Sequence, residues 1–375
     1  HGALDEHEQQ VAIIRRLSEE LARPIGVVGD LQGPKVRIGR VAGEGVDVRP
    51  GDEIAIQREP LEEPAGGGDD RPLRFDATYD HLVEDVQLGH RVLINDGFVR
   101  GLVIEKNDEA LRITITHGGR ISSGKGVNLP DSDLGLETMS ERDWEHVDWS
   151  LRHELDFLAL SFVRQADDVR RLQRGVRDRM NRDGASCLPP LIMAKIETPQ
   201  ALRDIDGIVA ASDGIMIARG DLGVEMDLAQ VPVIQRRLIQ IAHDHGKPSI
   251  VATQMLESMI KAPTPTRAEV NDVATAILDQ ANAVMLSGET AVGRYPVLTV
   301  ETMVRVSHQT EGFLAQERPG PKPPKHLVDS RYHTAALAHG VWTIARDIGA
   351  VCIGIWSLQG DGARFLAQNS FQIPI

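Results

Sequence analysis

The chain has 375 residues, of which 41% are hydrophobic and 26% charged, and its formal net charge is −14. This length and composition indicate two or three domains with hydrophobic cores. The acidic balance argues against nucleic acid as a partner, because proteins that bind a phosphate backbone present a basic face. No apolar run approaches the roughly 20 residues of a membrane-spanning helix, and no signal-peptide pattern opens the chain, so no membrane partner is expected.

The two cysteines, Cys187 and Cys352, lie far apart in the sequence. They fit no metal-ligand spacing and form no disulfide framework, which is typical of proteins in a reducing compartment. We therefore expect two structural thiols and a cytoplasmic location.

The first predicted element is an amphipathic helix over residues 5–22, because its apolar residues recur at spacings of three and four. A short strand ending at Asp30 follows it. The same strand–helix unit then recurs, with apolar strands predicted over 156–164, 190–197, 213–221, 247–254 and 282–290. Short apolar strands that alternate with helices form a parallel sheet covered on both faces. The repeat therefore predicts an α/β fold.

Polar residues stand at the carboxyl end of every predicted strand. A (β/α)8 barrel builds its active site from the carboxyl ends of several of its eight strands, whereas a Rossmann-type sheet concentrates its site at one switch point. The distribution favours the barrel, and because a barrel has eight strands and six are predicted here, two further strands are expected before His1. Both ends of the chain look cut. The polar strand ends are Asp30, Ser161, Lys195 with Glu197, Arg219 with Asp221, Thr253, and Ser287 with Glu289.

Two regions depart from the strand–helix repeat. One alternates apolar and polar residues with a period of two between Gly- and Asp-rich turns, which predicts an inserted all-β lid domain. Its predicted strands lie in "VRIGRV", "VDVRPGDEIAIQ", "RVLINDGFVRGLVIEK" and "ALRITITHGG". The other follows a proline-rich linker and is predicted as helix–strand–helix, with the strand over 350–357. The predicted domains are a TIM barrel over 1–32 and 126–315, the lid over 33–125, the linker over 316–328 and a partial C-terminal α/β domain over 329–375.

Lys195 and Glu197 are two residues apart on one predicted strand, so their side chains point the same way. Taken alone, the pair is compatible with a surface ion pair. Arg219 and Asp221 at the end of the next strand favour a site, in which Glu197 and Asp221 offer two hard oxygen ligands suited to Mg²⁺ or Mn²⁺. Backbone N–H groups at Gly220 and Asp221 are expected to hold a substrate carboxylate, as helix N-termini hold anions.

Other patterns are not interpreted as independent sites. The stretch that ends in Lys125 is close to a P-loop, but Gly126 stands where Ser or Thr is needed and no helix follows, so only a phosphate contact by Lys125 is expected. His243 and His245 have no carboxylate spaced to complete a metal site and are interpreted as surface residues. The tryptophans are expected to be packing residues.

Five longer blocks of the sequence resemble pyruvate kinases: "MAKIETPQAL", "SDGIMIARGDLGVEM", "VATQMLESMI", "PTRAEVNDVATAILDQANAVMLSGETAVGRYP" and "KGVNLP". The match runs in order along the whole chain, and the blocks between 190 and 297 are highly specific. The resemblance implies a (β/α)8 barrel with a β lid inserted after the third strand and a C-terminal α/β domain. It also implies an enzyme of the last step of glycolysis, which transfers the phosphoryl group of phosphoenolpyruvate to ADP and gives pyruvate and ATP.

The same resemblance implies roles for individual residues. Glu197 and Asp221 correspond to ligands of the divalent metal, and Lys195 to the lysine that neutralises the phosphoryl group in flight and the enolate left behind. Thr253 corresponds to a threonine implicated in a water relay that protonates the enolate. The remaining implied contacts are Ser161, Ser287 and the backbone of Ala218, Arg219, Gly220 and Asp221 for the substrate, Arg37, Lys125 and His1 for the nucleotide, and Asp96 on the lid.

Residues 30–39 read "DLQGPKVRIG", where many family members have "DTKGPEIRTG". The glutamate version accompanies dependence on K⁺, and the version with a lysine, here Lys35, resembles the K⁺-independent branch. An ammonium group at this position supplies the charge that K⁺ otherwise provides. Activity without K⁺ is therefore expected.

Two alternatives stay open at this point. The family's asparagine, serine and arginine that precede the matched region are not in this chain, so an inactive or ligand-binding relative is one alternative. A phosphoenolpyruvate/pyruvate-type barrel lyase is the other, although it would lack both the β insertion and the "MLSGETA" block. A homotetramer is expected for the full-length protein.

Overall fold

The computed structural model describes residues 3–66, 72–184, 187–317, 325, 333–357, 360–367 and 375. The described residues form two compact units. The first unit comprises the described parts of His1–Leu31, His146–Gly220 and Ala229–Ile375, and the second those of Gln32–Glu145 and Asp221–Leu228.

The strands and helices, numbered in chain order, are as follows. The strands are β1 Val28–Leu31, β2 Val46–Val48, β3 Glu53–Gln57, β4 Leu73–Asp76, β5 Arg91–Ile94, β6 Val99–Lys106, β7 Ala110–His117, β8 Gly119–Ile121, β9 Val127–Asn128, β10 Phe157–Leu160, β11 Leu191–Ile196, β12 Gly214–Ala218, β13 Ser249–Ala252 and β14 Ala283–Met285. The helices are α1 Leu4–Glu20, α2 Leu82–Asp85, α3 Glu141–Arg152, α4 Ala166–Asp183, α5 Ile205–Ala211, α6 Arg219–Glu225, α7 Val231–Asp244, α8 Arg267–Leu278, α9 Gly288–Ala291, α10 Pro296–Glu317, α11 His333–Asp347 and α12 Asp361–Ala367. None of the helices in the described residues is long and apolar enough to cross a membrane.

The first unit contains the predicted parallel sheet. Its six strands within the described residues pair in the order β1-β10-β11-β12-β13-β14, each parallel to its neighbour. The central strand Gly214–Ala218 is buried at all five positions, which explains its unbroken apolar sequence, since a strand covered on both faces exposes neither. The prediction of six parallel strands separated by helices is confirmed.

One face of this sheet carries a small apolar cluster below the polar strand ends. Ala159, Met193, Met216 and Ala252 are buried together there, one from each of four neighbouring strands. Side chains two residues apart in a strand share a face, so Lys195 follows Met193 on the face that carries this cluster. The period of the strand therefore places the lysine at the carboxyl edge of an apolar layer.

The helices of this unit begin and end where local chemistry requires it. In α4, Val169, Leu172, Val176 and Met180 are buried, and their spacing of three and four makes one apolar face. This helix ends at Gly184, whose φ of 64° is accessible to glycine at little cost.

The second unit contains the described part of the region predicted as an all-β insertion, and it extends to Glu145 and to Asp221–Leu228. Within the described residues it holds a six-stranded sheet in the order β4-β3-β7-β6-β5-β9 and a separate antiparallel pair, β2 with β8. The predicted strand in "VRIGRV" forms only isolated bridges, through Arg37, Ile38 and Val41. Two strands that the sequence did not indicate, Leu73–Asp76 and Val127–Asn128, complete the sheet, and the second lies beyond residue 125.

The C-terminal region differs from the prediction in one element. The predicted helices are present as His333–Asp347 and Asp361–Ala367. The predicted strand over 350–357 is wrong, because these residues adopt neither strand nor helix. A strand needs a paired neighbour, and the described residues of this region provide none. Trp356, expected to pack, is 93% exposed. Most of the predicted linker lies outside the described residues.

The two histidines interpreted as surface residues are largely buried. Only 13% of the His243 side chain and 14% of the His245 side chain are exposed. Burial lowers the pKa of His243, against the opposing effect of Asp244, and His245 Nε2 lies 3.3 Å from a carboxylate oxygen of Asp206. The interpretation was wrong because the carboxyl end of α7 packs against neighbouring elements.

Candidate active site

Side chains from three neighbouring strands meet around the ammonium group of Lys195. Its Nζ lies 2.8 Å from Ser161 Oγ, 3.1 Å from Asp30 Oδ1 and 3.1 Å from Glu197 Oε1. Asp30 belongs to β1, Ser161 follows β10, and Lys195 is the penultimate residue of β11. Parallel strands bring their carboxyl ends to one edge of a sheet, so Lys195 and Asp30, 165 positions apart in the chain, share one site.

The electrostatics of this cluster keep Lys195 charged. Its side chain is 13% exposed, and this burial by itself disfavours the ammonium form. The carboxylates of Glu197 and Asp30 outweigh burial, and the net effect raises the pKa of Lys195 above its ordinary value. Lys195 is therefore a cation at neutral pH, placed where a substrate anion can reach the carboxyl edge.

Glu197 is the most deeply buried carboxylate of the cluster, with 1% of its side chain exposed. Its Oε2 accepts a hydrogen bond of 2.7 Å from the backbone N–H of Phe162. Phe162 has a φ of 53°, a left-handed conformation that is rare outside glycine. The turn after β10 is thus shaped to present its N–H to this carboxylate, which fixes the orientation of Glu197.

The turn after β13 carries Thr253. Thr253 and Gln254 both have positive φ, 66° and 54°, and the Thr253 hydroxyl accepts a hydrogen bond of 2.7 Å from the backbone N–H of Gly220. A Cβ on residue 220 would lie 3.2 Å from Thr253 Oγ1, so glycine allows this close approach. The Gly220 N–H, which we expected to bind a substrate carboxylate, is engaged by Thr253 here.

The guanidinium of Arg219 is engaged by other groups of the protein. Arg219 is buried, and its guanidinium donates to Asp272 Oδ2 at 2.6 Å and to the backbone carbonyls of Thr253 and Gln254 at 2.7 and 3.1 Å. Any contact of residues 218–220 with substrate therefore falls to the backbone. The sequence indicated a cation at this strand end but not the partners that hold it.

The last strand end is organised by a carboxylate for which the sequence indicated no role. Glu289 is buried and accepts hydrogen bonds from the backbone N–H of Ser287 at 2.8 Å and of Leu256 at 3.1 Å. It joins the turn after β13 to the turn after β14. Ser287, a predicted substrate contact, is half-buried at the start of α9. The signal for Glu289 was available, since it follows Ser287 at the same polar strand end.

The second unit contains most of the residues predicted for the nucleotide and the lid. Arg37 donates to the carbonyl of Gly124 at 2.9 Å, and Lys125 is exposed. A Cβ on residue 126 would lie 2.8 Å from the Lys35 Cε, so the absence of a side chain at Gly126 leaves room for the lysine stem. The other predicted positions are Asp221, half-buried in α6, Asp96, exposed, and His1, which lies outside the described residues.

The residues of the first unit fit a divalent cation. Glu197 is a preformed, oriented carboxylate, and hard cations such as Mg²⁺ are held by one or two carboxylates together with water and substrate oxygens. No group of three or more His, Cys, Asp or Glu that could hold a metal occurs in the part of the chain that the structure describes. The arrangement fits a metal that takes one or two ligands from protein carboxylates and the others from substrate oxygens and water.

Glu225, in the second unit, is a buried carboxyl group with an altered pKa. Burial raises its pKa to about 7, opposed by a 2.7 Å hydrogen bond from the Asn128 side chain and assisted by the charge of Asp221. Arg91 lowers the pKa and Asp131 raises it to smaller extents. In the folded protein this group therefore holds a proton more tightly than in the unfolded chain.

The variant Glu225→Gln is expected to change how stability depends on pH. Because the folded pKa exceeds the unfolded one, the stabilising contribution of the proton is present at low pH and is lost as pH rises through about 7. As pH rises from 5 to 8, wild type should lose about 2 to 3 kcal/mol of unfolding free energy through this group. The variant should not show this loss, because its amide is neutral throughout. Denaturant unfolding at both pH values measures this, and a difference independent of pH would contradict it.

The fold and the site together define a class of protein. A parallel strand–helix sheet with a buried lysine and carboxylates at its carboxyl edge is the arrangement of a barrel enzyme that acts on an anionic substrate. The family model described as pyruvate kinase, barrel domain, matches residues 1–300. The chain belongs to the pyruvate kinase family.

Individual relatives agree with this assignment. The pyruvate kinase of Mycobacterium tuberculosis is 38% identical over 379 residues, covering 100% of this chain and 75% of the relative. That of Methylorubrum extorquens is 40% identical, covering 98% of this chain and 73% of the relative. The crystal structure of a pyruvate kinase from Cryptosporidium parvum has a TM-score of 0.85 and 30% identity, and the match covers 98% of this chain and 74% of that one.

These comparisons confirm three predictions from the sequence. The family is the predicted one, the fold class is the α/β barrel of pyruvate kinases, and the function is that of a pyruvate kinase, a phosphotransferase rather than a lyase. Use of a nucleotide substrate and of a divalent metal follows from the family.

Proposed function

We propose that this chain transfers the phosphoryl group of phosphoenolpyruvate to ADP, giving pyruvate and ATP, at the carboxyl edge of its parallel sheet. The observation that carries the proposal is the buried, charged Lys195, held by Asp30, Ser161 and Glu197 within 3.1 Å. Phosphoryl transfer requires little covalent chemistry from the protein, and depends on positioning and on cationic charge near the moving group.

Lys195 is the proposed catalytic cation. Three oxygen partners fix its position before substrate arrives, so little reorganisation is needed when negative charge develops on the phosphoryl oxygens and on the enolate. Its raised pKa keeps the charge in place across the neutral range. Ser161, which contacts Nζ at 2.8 Å, is proposed to orient the ammonium group as well as to line the pocket.

Glu197 and Asp221 are the proposed ligands of Mg²⁺ or Mn²⁺, and their oxygens suit both ions. The bound cation would act as a Lewis acid and neutralise charge on the substrate oxygens. The hydrogen bond from Phe162 to Glu197 Oε2 supports the assignment, because it fixes the orientation of the carboxylate.

Thr253 is proposed to act in the protonation of the enolate. Its oxygen already accepts the N–H of Gly220, so the hydroxyl hydrogen points elsewhere and is able to donate to a water or to substrate. Enolate protonation adds one proton to carbon, supplied through water and replaced from solvent. Ala218, the backbone of Asp221 and Ser287 are proposed as further substrate contacts.

The other proposals rest on the resemblance. Arg37, Lys125 and His1 are proposed for the nucleotide side of the site. A homotetramer is proposed for the full-length protein, and a cytoplasmic location is supported by the two cysteines, which form no disulfide. Neither a nucleic acid nor a membrane is proposed as a partner.

A coupled assay of ADP-dependent pyruvate formation from phosphoenolpyruvate tests the function. Turnover with Mg²⁺ or Mn²⁺ is the expected result. Lack of turnover with both metals would favour the ligand-binding alternative, and cleavage of a carbon–carbon bond in a keto acid would favour the lyase.

Independence from K⁺ is expected in the same assay. The ammonium of Lys35 is proposed to supply the charge that K⁺ provides in glutamate-containing relatives. Rates should therefore be similar with and without K⁺ at constant ionic strength, and Lys35→Glu should create a requirement for K⁺. A rise of about ten-fold or more in the wild-type rate on adding K⁺, equivalent to about 1.4 kcal/mol, would contradict the proposal.

A further inference from the structure

The turn that carries Thr253 has an unusual backbone. Thr253 and Gln254 are consecutive residues other than glycine with φ of 66° and 54°. This conformation is particularly unfavourable for a β-branched residue such as threonine. Such backbone persists only where the surroundings determine it, so the groups that hold this turn also determine where the Thr253 hydroxyl lies.

Arg219 holds this turn through its carbonyl groups. Its Nη2 donates to the Thr253 carbonyl at 2.7 Å and to the Gln254 carbonyl at 3.1 Å, while the backbone N–H of the next residue, Gly220, donates to Thr253 Oγ1 at 2.7 Å. Two consecutive residues thus fix both the backbone and the hydroxyl of Thr253. The guanidinium performs this role only if its own orientation is fixed.

Asp272 fixes that orientation from outside the site. It lies in α8, and its Oδ2 accepts a hydrogen bond of 2.6 Å from Arg219 Nη1, the nitrogen opposite the one that contacts the turn. A guanidinium is planar and rigid, so an anchor at one nitrogen determines the position of the other. Arg219 is buried and Asp272 half-buried, so the pair is partly shielded from water.

We propose that Asp272 is a positioning residue for enolate protonation, acting through Arg219 on the Thr253 hydroxyl. The inference rests on the proposed role of Thr253. Without the carboxylate, Arg219 Nη1 keeps only the Gln235 side-chain oxygen at 3.4 Å, so the guanidinium holds the turn less firmly. The turn then relaxes towards a less strained backbone that carries the hydroxyl away from the Gly220 N–H. Asp272 contacts no proposed substrate group, so phosphoryl transfer itself should depend on it much less.

The test measures enolate protonation and the KM for phosphoenolpyruvate separately in Asp272→Asn. Exchange of the pyruvate methyl protons with deuterated solvent, followed by NMR with Mg²⁺ and ATP present, reports the protonation step. It should fall by about 10- to 100-fold, the loss that follows a displacement of about 1 Å in a reacting group. The KM for phosphoenolpyruvate should stay within about two-fold, because ground-state binding is unchanged.

A matched control distinguishes positioning from general stability. Asp279, just after α8, pairs with Arg236 at 3.3 Å, and Asp279→Asn removes an aspartate–arginine pair that does not involve the Thr253 turn. Exchange should be normal in this variant. Asp272→Glu, which keeps a carboxylate, should recover part of the lost exchange. Melting temperatures of all variants identify any that unfold.

A double variant provides the decisive outcome. If Asp272 acts through Thr253, then adding Asp272→Asn to Thr253→Val should cause little further loss of exchange. Additive losses, or equal exchange in Asp272→Asn and Asp279→Asn, would overturn the inference while leaving the proposed function intact. A wild-type protein that forms no pyruvate from phosphoenolpyruvate and ADP would overturn both.

Discussion

Replacing Lys195 with methionine is expected to lower kcat by about 10³- to 10⁵-fold, the range found when a cation is removed from a phosphoryl-transfer site. Methionine approximates the length of the lysine stem and removes only the charge. The loss should be large because Lys195 is preorganised by Asp30, Ser161 and Glu197, and a preorganised charge in a partly dry site stabilises developing charge more than a mobile one in water.

The same variant should be less stable. It leaves Glu197, of which 1% is exposed, without its cation. Removing one partner of a buried ion pair costs about 3 to 5 kcal/mol, because the remaining charge is uncompensated. A divalent metal should restore part of this stability if Glu197 is a ligand, so melting with and without Mg²⁺ separates the folding defect from the catalytic one.

Lys247→Met is the matched control for Lys195→Met. Lys247 is a half-buried lysine of the same unit, and its Nζ donates to the carbonyl of Ser212 at 2.7 Å. It precedes β13, at the amino end of the sheet, where a barrel enzyme has no active site. The control should keep normal kcat in the coupled assay, and a Lys195→Met protein as active as the control would contradict the proposed role.

The site could be predicted as far as strand geometry determines it. Apolar strands ending in polar residues identify a parallel sheet, and parallel pairing brings those ends to one edge. This is why Lys195, Ser161 and Glu197 are found together in the structure. Asp30 ended a predicted strand too, but no pattern in the sequence showed that its carboxylate would contact Lys195.

The direction of a side chain was the main feature that the sequence did not determine. Arg219 stands at a strand end and was predicted to contact substrate through its backbone, and no pattern showed that its guanidinium would be held by Asp272, 53 residues further along the chain. Sequence spacing gives the face of a strand, but beyond the strand end the partner with the best geometry determines where a long side chain points. The role inferred for Asp272 follows from this contact.

The sequence also did not determine which segments pair with one another as strands. The strand Leu73–Asp76 was missed, although it pairs with Glu53–Gln57 in the second unit, and residues 350–357 were predicted as a strand although the described residues provide no neighbour. Apolar patterns indicate which segments are able to form strands. Whether a segment does so depends on hydrogen bonds from residues that are distant in the sequence.

Glu197→Gln is expected to raise the concentration of Mg²⁺ or Mn²⁺ needed for half-maximal activity by more than about 100-fold, the upper end of the losses caused by changing groups that merely support a metal ligand. The side-chain amide has the same shape, and its oxygen is able to keep the hydrogen bond from Phe162. The variant therefore removes the negative charge with little change in the turn after β10.

Loss of this carboxylate should also lower the pKa of Lys195. Burial disfavours the ammonium form, and Glu197 is the larger of the two carboxylate effects that oppose it. Without Glu197, Asp30 alone opposes burial, so the loss of activity as Lys195 deprotonates should begin at lower pH than in wild type. The pH–rate profile at saturating metal measures this shift.

Direct titration of Mn²⁺ followed by electron paramagnetic resonance measures metal binding without turnover. Asp168→Asn is the matched control, since Asp168 is also a buried carboxylate that accepts backbone N–H groups, those of Arg164 and Gln165. It lies at the start of α4 and should bind Mn²⁺ as wild type does. Equal Mn²⁺ affinity in the two variants would show that Glu197 is not a metal ligand, because both lose one buried charge and only one of them is expected to lose the ion.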